Sequence, residues 1–401
     1  MRANKVLDGN TAVSEAVRQL DPDVVMAYPS APGAPMLERL AMDIANGSLD
    51  TELVNMESPQ SAISGCIGAS AAGGRVFSSA SSQELAQMHE MLFIASSLRL
   101  PIVIGIADRA LSAPINYYAD HSDAMAERDC GWIQLFCESP QEAYDNIIQA
   151  YKISEHQDVK TPVMVAMDGW ITSHTMENVS IEEPSEITDF MGKRIPTYSL
   201  LNSTKPLTIG SFSSPNYYFE HKLNQFQGME NSRKIIREVG KEFGDRFGRY
   251  YGYFETYKLD DAEYGIIIMS SAAGTAKEAI DRLRSRGEKV GLLKLRVFRP
   301  FPFQEIQERL LGLKAIAIFD RNIVPGSQGG PLYNEIRSAM YFCEDNLRPK
   351  IFPYIFGLGG RELNLSDIDN TIKEIKEKTE KVESENGFHF VNVRYRQVNN
   401  E

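Results

Sequence analysis

Cysteine is scarce in this sequence, with four residues in a chain of 401. Cys66, Cys130, Cys137 and Cys343 show none of the close C-x-x-C spacing that zinc and iron–sulfur sites use. We therefore expect reduced thiols, mostly buried, and no metal cluster held by this chain. Any iron–sulfur cluster that works with the protein would lie in another chain.

An excess of positive charge is also missing. The chain has 42 Lys and Arg residues against 54 Asp and Glu residues, a net charge of −12. This balance argues against a nucleic-acid or an anionic-membrane partner, although local arginines would still allow small anionic substrates. The amino terminus lacks the apolar core of a signal peptide, and no apolar run approaches membrane-spanning length. We expect a cytoplasmic protein.

Several familiar motifs are absent as well. No Gly-x-Gly-x-x-Gly follows a predicted strand, and neither a P-loop nor a serine-hydrolase elbow occurs. The six histidines show no metal-ligand spacing. These absences argue against a nucleotide-binding loop and a serine hydrolase, and we predict no metal site in this chain.

What the sequence does contain is a regular alternation of short apolar runs and helical patterns. Such an alternation predicts right-handed βαβ units and a mainly parallel sheet. The pattern decays after residue 180 and restarts near residue 264. The fold class is therefore α/β, with two three-layer domains at residues 1–180 and 259–380. A connector with one helix, predicted over 228–243, spans residues 181–258, and a C-terminal extension spans 381–401.

Three features follow predicted strands of the first domain: the proline-rich loop 28–35, Glu57 and Arg109. Ligands of open α/β sheets collect at the carboxyl ends of strands, so these are candidate site residues. Arg109 would suit a carboxylate, because its guanidinium offers two parallel donors. Each charged residue also has a structural alternative. Glu57 would cap the dipole of the helix that follows it, and Arg109 would pair with an aspartate at position 108, 120 or 123.

Two helix starts are visible in the same domain. Ser58 and Pro59 suit the N-cap and the first turn of a helix predicted to continue through residues 61–74. Residues 81–84, Ser-Ser-Gln-Glu, form a capping signature before a long helix over 82–98. The first of these starts places Glu57 at a strand–helix junction.

An ordered series of motifs then resembles one family over nearly the whole chain, the alpha subunits of pyruvate:ferredoxin oxidoreductase and its 2-oxoacid relatives. The motifs that carry the resemblance are Ala27-Tyr28-Pro29, Met56-Glu57-Ser58, the small-residue run 68–73, Asp108-Arg109-Ala110-Leu111-Ser112-Ala113-Pro114-Ile115-Asn116, Asp120-His121-Ser122-Asp123, Arg128-Asp129-Cys130-Gly131-Trp132, Thr161-Pro162-Val163-Met164, Asp168-Gly169 and Arg296-Val297-Phe298-Arg299-Pro300-Phe301-Pro302.

The resemblance implies thiamine diphosphate chemistry at an interface between two chains. It implies a pyrimidine-binding domain at 1–180 and a transketolase C-terminal-like domain at 259–380. In that family the carboxyl group that matches Glu57 is catalytic and contacts the aminopyrimidine ring. The resemblance further assigns Tyr28 and Pro29 to cofactor binding. The substrate-binding positions that it implies are Arg109, Ser30, Ala31, Ile115 and Tyr117.

The same resemblance implies the reaction and the partners. The reaction is oxidative decarboxylation of a 2-oxoacid, pyruvate by default, with coenzyme A, giving acyl-CoA, carbon dioxide and reduced ferredoxin. Met167-Asp168-Gly169-Trp170 only partly matches the segment that holds the diphosphate in thiamine enzymes. The magnesium and diphosphate site is therefore expected in a beta subunit, and the iron–sulfur clusters in partner chains. Gamma and ferredoxin-like delta subunits and ferredoxin complete the expected partners.

Three departures from the family pattern concern the substrate. Ala31 replaces the usual Thr, Tyr117 replaces an aliphatic residue, and Pro59-Gln60 replaces Glu-His. A lost hydrogen bond to a carboxylate is worth roughly 1.5–3 kcal/mol. The departures fit a different 2-oxoacid, a compensating partner residue or a degenerate site. Two alternatives stay open: a non-catalytic assembly subunit of such a complex, and another thiamine diphosphate enzyme of the dehydrogenase or transketolase type.

Overall fold

Alternating strands and helices build two units in the computed structural model of this chain, which describes residues 3–196, 199–381 and 388–394. The first unit comprises residues 1–255 and 295–302, and the second comprises residues 256–294 and 303–401. The strands, in chain order, are β1 (Ala3–Leu7), β2 (Val24–Ala27), β3 (Glu52–Asn55), β4 (Val76–Ala80), β5 (Val103–Asp108), β6 (Ile133–Cys137), β7 (Val163–Asp168), β8 (Glu177–Ile181), β9 (Phe254–Tyr257), β10 (Tyr264–Met269), β11 (Val290–Leu295), β12 (Val297–Arg299), β13 (Ala315–Asp320), β14 (Lys350–Ile355) and β15 (His389–Phe390).

The helices follow the same order. They are α1 (Gly9–Leu20), α2 (Ala34–Ala45), α3 (Pro59–Ala71), α4 (Gln83–Ser97), α5 (Ser122–Ala126), α6 (Pro140–Glu155), α7 (Pro184–Met191), α8 (Pro215–Phe247), α9 (Ala272–Ser285), α10 (Phe303–Leu310), α11 (Pro331–Ala339) and α12 (Leu365–Glu380), with a short 3₁₀ turn at Leu358–Gly360.

A seven-stranded sheet forms the centre of the first unit, in the order β12-β6-β7-β5-β4-β2-β3. The pairs among β2 to β7 are parallel, and only β12 joins antiparallel. Strands β5 and β7 are buried along their full length, as expected for strands covered on both faces. The α/β fold with mainly parallel sheets, predicted from the alternation, is confirmed.

The helices of the first unit pack against one another beside this sheet. Helix α1 contacts α2 and α6, while α3 packs on α4. Strands β1 and β8 pair antiparallel in a separate two-stranded sheet. The main core combines apolar residues of α1, α6 and the central strands with the second half of α8.

The connector differs from the sequence prediction. A single helix over 228–243 was expected, but the structure contains α7 and a 33-residue helix, α8, in this region. The first half of α8 carries several exposed aromatic side chains. Its sequence therefore lacks the apolar stripe that is typical of a helix packed against a core. The first half of α8 is instead held by a tertiary contact, in which Arg99 Nη1 donates a hydrogen bond to the Asn224 carbonyl at 2.9 Å.

The second unit has a six-stranded sheet in the order β15-β14-β13-β10-β11-β9. Strand β13 pairs parallel with β10 and β14, and β15 continues the sheet parallel to β14. Helices α9 and α12 pack together, and their apolar faces join the strands in one core. Strand β15 lies in the predicted C-terminal extension. Residues 382–387 and 395–401 of that extension lie outside the described residues.

Two further expectations concern the whole chain. All four cysteines are free, and Cys66, Cys130 and Cys137 are buried, as predicted. Among the described helices, none combines the length and apolar character that crossing a membrane requires.

Candidate functional site

The carboxyl edge of the seven-stranded sheet brings the candidate residues to one side of the first unit. Glu57 follows β3, the loop 28–33 follows β2, and Arg109 follows β5. Strand β4 lies between β2 and β5, so its carboxyl end opens at the same edge. Strands are about 4.8 Å apart, which puts the ends of β3 and β5 about 14 Å from each other.

Glu57 sits at the junction of β3 and α3. Ser58 caps the helix, since its side chain accepts a hydrogen bond from the Ser61 N–H, and Pro59 occupies the first turn. The Ser61 hydroxyl in turn donates to Oε1 of Glu57 at 2.5 Å. The carboxylate thus contacts the first turn of α3, as the helix-cap alternative predicts.

The Glu57 side chain is exposed to solvent in this chain. The hydrogen bond from Ser61, followed by the backbone N–H of Glu57, lowers the pKa of its carboxyl. The free chain therefore favours the ionised carboxylate of Glu57. Within the residues that the structure describes, no segment of the chain buries this side chain.

The proline-rich loop is fixed by backbone contacts on both sides. The Ala34 N–H donates to the Ser30 carbonyl at 2.7 Å, and Asn10 Nδ2 donates to the Pro32 carbonyl at 3.1 Å. Gly33 faces the β4–α4 turn so closely that a Cβ there would lie 3.0 Å from the Ser81 hydroxyl. The loop therefore has a defined shape, with Tyr28, Ser30 and Ala31 half-buried and Pro29 exposed, all beside the end of β4.

Arg109 crosses from β5 toward that loop. Its Nη1 donates to the Ala31 carbonyl and its Nε to the Asn116 carbonyl, both at 2.9 Å. Its guanidinium lies 4.5 Å from the centroid of the Tyr117 ring. Of the aspartates expected to pair with it, Asp123 contacts its backbone, since the Arg109 N–H donates to Asp123 Oδ2 at 2.9 Å. The bonds to the Ala31 and Asn116 carbonyls use two of the five N–H groups of the guanidinium.

Two further predicted substrate residues lie on the loop between β5 and α5. Tyr117 is 55% exposed and Ile115 is 72% exposed. The Tyr117 ring covers one face of the Arg109 guanidinium, a contact worth about 0.5–1 kcal/mol at an exposed position. The structure thus brings Ala31, Arg109 and Tyr117 together, while Ile115 stands out from the surface.

A buried acidic cluster lies beneath this edge and was missed by the sequence analysis. His121 Nε2 is 2.9 Å from Asp168 Oδ1, and both side chains are fully buried. Burial, together with Asp123 and Asp168, raises the pKa of Asp108 well above its ordinary value. Burial also raises the pKa of Asp123 to about 7. These residues come from β5, β7 and the α5 region, so no short motif spacing could reveal them.

Two sets of described residues bring potential metal ligands within 4.8 Å of one another. They are Asp108 with His121 and Asp168, which are buried, and Glu138 with Glu142 and Glu255, which are more exposed. The first set includes the last residues of β5 and β7 and is buried, so it offers no exposed ligand to a diphosphate group. The sequence analysis did not predict either set.

A second missed residue is Glu84, at the start of α4. Its Oε2 accepts a hydrogen bond from the Ser81 N–H at 3.0 Å, which is half of the capping arrangement predicted from Ser-Ser-Gln-Glu. The other half is absent among the described residues, because the Glu84 N–H donates to the Ser81 carbonyl at 3.0 Å and not to the Ser81 hydroxyl. The Ser-Ser-Gln-Glu signature includes Glu84, but it predicts only where a helix begins. It does not predict that the Glu84 carboxyl is buried near Arg109.

Comparisons with known families agree with this arrangement of two α/β units. Residues 15–241 match the family model described as pyruvate flavodoxin/ferredoxin oxidoreductase, thiamine diP-bdg. Residues 262–368 match the model described as pyruvate:ferredoxin oxidoreductase core domain II. The first match includes Glu57, Arg109 and the proline-rich loop.

Curated relatives are similar along almost their whole length. The pyruvate synthase subunit PorA of Thermotoga maritima is 45% identical over 366 residues, covering 91% of this chain and 93% of the relative. That of Methanocaldococcus jannaschii is 45% identical over 374 residues, covering 93% and 95%. The ketoisovalerate oxidoreductase subunit VorA of Pyrococcus abyssi is 41% identical over 377 residues, covering 94% of each chain.

One solved structure shares the fold. It is the 2-oxoglutarate:ferredoxin oxidoreductase from Magnetococcus marinus with 2-oxoglutarate, coenzyme A and succinyl-CoA bound, with a TM-score of 0.73 and 19% identity. The match covers 93% of this chain and 65% of that chain. At this identity it supports the architecture alone.

Proposed function

The chain belongs to the pyruvate:ferredoxin oxidoreductase family, and from this premise we propose that it is the subunit of a 2-oxoacid:ferredoxin oxidoreductase that supplies the pyrimidine side of a thiamine diphosphate site. With its partners it oxidatively decarboxylates a 2-oxoacid in the cytoplasm. Coenzyme A accepts the acyl group and ferredoxin accepts the electrons. Pyruvate is the first substrate to test, because the relatives from Thermotoga and Methanocaldococcus are named pyruvate synthase subunits.

The observation that carries this proposal is the position of Glu57. The carboxylate stands at the same sheet edge as Arg109 and the proline-rich loop, yet it is open to solvent. A catalytic acid left exposed on its own subunit makes physical sense when a second chain completes the site. Covering Glu57 with a partner would remove it from water and raise the pKa of its carboxyl, which reverses the preference of the free chain.

The exposed residues of this chain fit the pyrimidine half of thiamine diphosphate. Glu57 uses Oε1 for the Ser61 hydroxyl, and its second oxygen can contact a ring nitrogen of the cofactor. Tyr28 and Pro29 lie on the neighbouring loop and would line the ring. When bound, the cofactor supplies the carbon nucleophile that attacks the 2-oxo group. Glu57 would hold the proton that sets the tautomer of the ring, and Arg109 would hold the substrate carboxylate.

The diphosphate and its magnesium ion, by contrast, belong to a beta subunit in this proposal. The nearby ligand cluster of Asp108, His121 and Asp168 is buried, and so it does not face the surface where Glu57 stands. The four cysteines of this chain lack the close spacing of cluster ligands, and Cys66, Cys130 and Cys137 are buried. Iron–sulfur clusters therefore fit gamma and ferredoxin-like delta subunits rather than this chain.

A decisive experiment uses the chain purified with its partner subunits under anaerobic conditions. Coenzyme A-dependent reduction of a viologen dye is measured with pyruvate, 2-oxoisovalerate and 2-oxoglutarate, with and without added thiamine diphosphate. We expect thiamine diphosphate-dependent turnover of at least one of these 2-oxoacids. Failure with every 2-oxoacid in a complex that retains its iron–sulfur clusters would remove the enzymatic proposal.

A second candidate function is a non-catalytic assembly subunit, and the observation that favours it is Ala31. This position offers only its backbone carbonyl to Arg109 and has no hydroxyl for a substrate. Mass spectrometry of the purified complex separates the two candidates. Stoichiometric thiamine diphosphate supports the catalytic subunit, whereas a complex that assembles without the cofactor supports the assembly role. A partner chain without cysteine clusters would instead favour another type of thiamine diphosphate enzyme.

A further inference from the structure

Glu84 is a buried carboxyl group beside the proposed substrate residues. It is the second residue of α4 and is 8% exposed. Its Oε2 accepts the Ser81 N–H at 3.0 Å, while Oε1 has no partner of good hydrogen-bond geometry among the described residues. A buried carboxyl oxygen without a strong partner is costly, so this position calls for a functional explanation.

The fold holds this carboxyl close to Arg109. Oδ2 of Asp123 accepts hydrogen bonds from the Ser82 N–H at 2.7 Å and from the Arg109 N–H at 2.9 Å. The Ser82 hydroxyl also donates to the Ala110 carbonyl at 2.7 Å. The turn that carries Glu84 is thereby fastened to the end of β5 that carries Arg109. These bonds hold together the backbone segments that carry Glu84 and Arg109.

The groups that act on the Glu84 carboxyl come from three elements. Burial raises its pKa to about 7, against the lowering effects of the Ser30 side chain, the Ser81 N–H and the Arg109 guanidinium. Ser30 belongs to the proline-rich loop, and Arg109 follows β5. Near neutral pH the pair therefore has two states: a neutral Glu84 that leaves the charge of Arg109 uncompensated, and an ionised Glu84 that cancels it.

These two states differ in how they receive an anion. When Glu84 is neutral, the negative charge of one substrate carboxylate balances the positive charge of Arg109. When Glu84 is ionised, the same carboxylate would leave the site with a net negative charge. An ionised Glu84 would repel the incoming carboxylate and compete with it for the guanidinium. A neutral Glu84 instead has an O–H group to donate, and its Oε1 is the oxygen without a strong partner.

We propose that Glu84 is a positioning and specificity-determining residue of this subunit, which must hold a proton for a 2-oxoacid carboxylate to bind Arg109. At pH values where Glu84 of the free site is ionised, the subunit would then take up one proton with each substrate, and it would accept 2-oxoacids that carry a single carboxylate. This inference rests on the proposed function and deepens it, since it concerns the same site.

The test measures KM for pyruvate, or for whichever monocarboxylic 2-oxoacid is turned over fastest, in the assembled complex between about pH 6 and pH 9. For the wild-type complex we expect a constant KM below about pH 7 and an increase of about tenfold per pH unit above it. Glu84→Gln preserves an acceptor for the Ser81 N–H and cannot ionise. It should give a KM that hardly changes over this range. Glu90→Gln, which changes an exposed carboxylate of the same helix, should keep the wild-type profile.

Each outcome decides the matter. If the complex turns over a 2-oxoacid but Glu84→Gln keeps the wild-type dependence of KM on pH, Glu84 has only a structural role and the proposed function stands. Faster turnover of a dicarboxylic than of any monocarboxylic 2-oxoacid would also overturn the inference. If no 2-oxoacid is turned over by any form, the proposed function and this inference fail together.

A second measurement covers the case in which Glu84→Gln does not assemble. Titration calorimetry of the wild-type complex with pyruvate at about pH 8, in two buffers of different ionisation enthalpy, reports the protons taken up on binding. Uptake of close to one proton supports the inference, and a heat that does not depend on the buffer overturns it.

Discussion

The Ser61 hydroxyl donates a hydrogen bond of 2.5 Å to Oε1 of Glu57 across the first turn of α3. This contact favours the ionised carboxylate, and it lowers the pKa of a group that the proposed reaction needs in its protonated form. The contradiction disappears if a partner chain buries Glu57, because desolvation acts in the opposite direction. The free subunit and the assembled complex should then differ in the charge of one side chain.

Glu57→Gln should lower kcat of the assembled complex by about 10²–10⁴-fold, the usual contribution of a positioned acid–base group. Glutamine can accept from the Ser61 hydroxyl but has no proton to give. Steady-state viologen reduction measures the effect. Glu52→Gln, which alters an exposed carboxylate of β3, is the matched control and should retain wild-type kcat. Full turnover by Glu57→Gln would remove Glu57 from its proposed role.

Arg109→Ala should raise KM for the 2-oxoacid by about 10- to 150-fold, because a hydrogen bond to a charged group is worth about 1.5–3 kcal/mol. Arg109→Lys should recover only part of this loss, since an ammonium cannot donate to both backbone carbonyls and a carboxylate in the planar geometry of a guanidinium. The control is Arg39→Ala, which removes an exposed arginine side chain that pairs with the buried Asp43 four residues later in α2. Equal KM values for wild type and Arg109→Ala would leave Arg109 with a structural role.

Ala31→Thr restores a hydroxyl at the position where the family pattern has Thr. If the site is active but adapted to another 2-oxoacid, this variant should raise kcat/KM for pyruvate by about tenfold, the equivalent of a hydrogen bond worth about 1.4 kcal/mol. Competition between pyruvate and 2-oxoisovalerate reports the change directly. An unchanged preference would contradict the idea that residue 31 adapts the site to another 2-oxoacid.

Arg249→Met should destabilise the chain by about 3–5 kcal/mol, because it leaves the fully buried Asp145 carboxylate without its cation. Arg249 binds Asp145 through two contacts, at 2.6 and 2.8 Å. Urea denaturation measures the free energy of unfolding. Arg246→Met, which breaks a more exposed pair with Glu186, should cost less than about 1 kcal/mol. A similar loss of unfolding free energy in Arg249→Met and Arg246→Met would show that burial of the Asp145 carboxylate does not determine the cost.

Stability should fall between about pH 5 and pH 8 through Glu84. The pKa of this carboxyl is about 7 in the folded chain, above its ordinary value of 4.5, so the folded state holds the proton more tightly in this window. Raising the pH through the window therefore removes up to about 3 kcal/mol of stability. Glu84→Gln should lack this component, whereas Glu90→Gln should keep it. Urea denaturation at about pH 5 and about pH 8 measures the free energy of unfolding of each variant. An equal change in this free energy between the two pH values in wild type and Glu84→Gln would contradict the prediction.

Much of the fold followed from local sequence patterns. Apolar runs separated by helices predicted the parallel sheet, because the polar backbone of a buried strand must find partners in neighbouring strands. Ser58 and Pro59 correctly indicated where α3 begins, since capping depends on residues adjacent in the chain. These signals also put Glu57, Arg109 and the proline-rich loop at one edge of one sheet.

The length of α8, by contrast, was not predictable from local sequence patterns. Its first half has exposed aromatic side chains and is stabilised by contacts with Arg99, more than 100 residues earlier in the chain. Local helical periodicity reports burial along one face, and here that face is only partly buried. The predicted helix therefore covered the buried second half and missed the first.

What the sequence alone determined is that Glu57, Arg109 and the proline-rich loop each follow a strand of one α/β unit, because capping residues and helical or strand periodicity act over a few residues. What only the tertiary structure decided is the chemical state of those groups. The exposure of Glu57, the burial of Glu84 beside Arg109 and the Asp108, His121 and Asp168 cluster all depend on segments far apart in sequence. Desolvation and charge pairing are set by what packs against a side chain in space, and these two effects fix whether each acid in the site carries a proton.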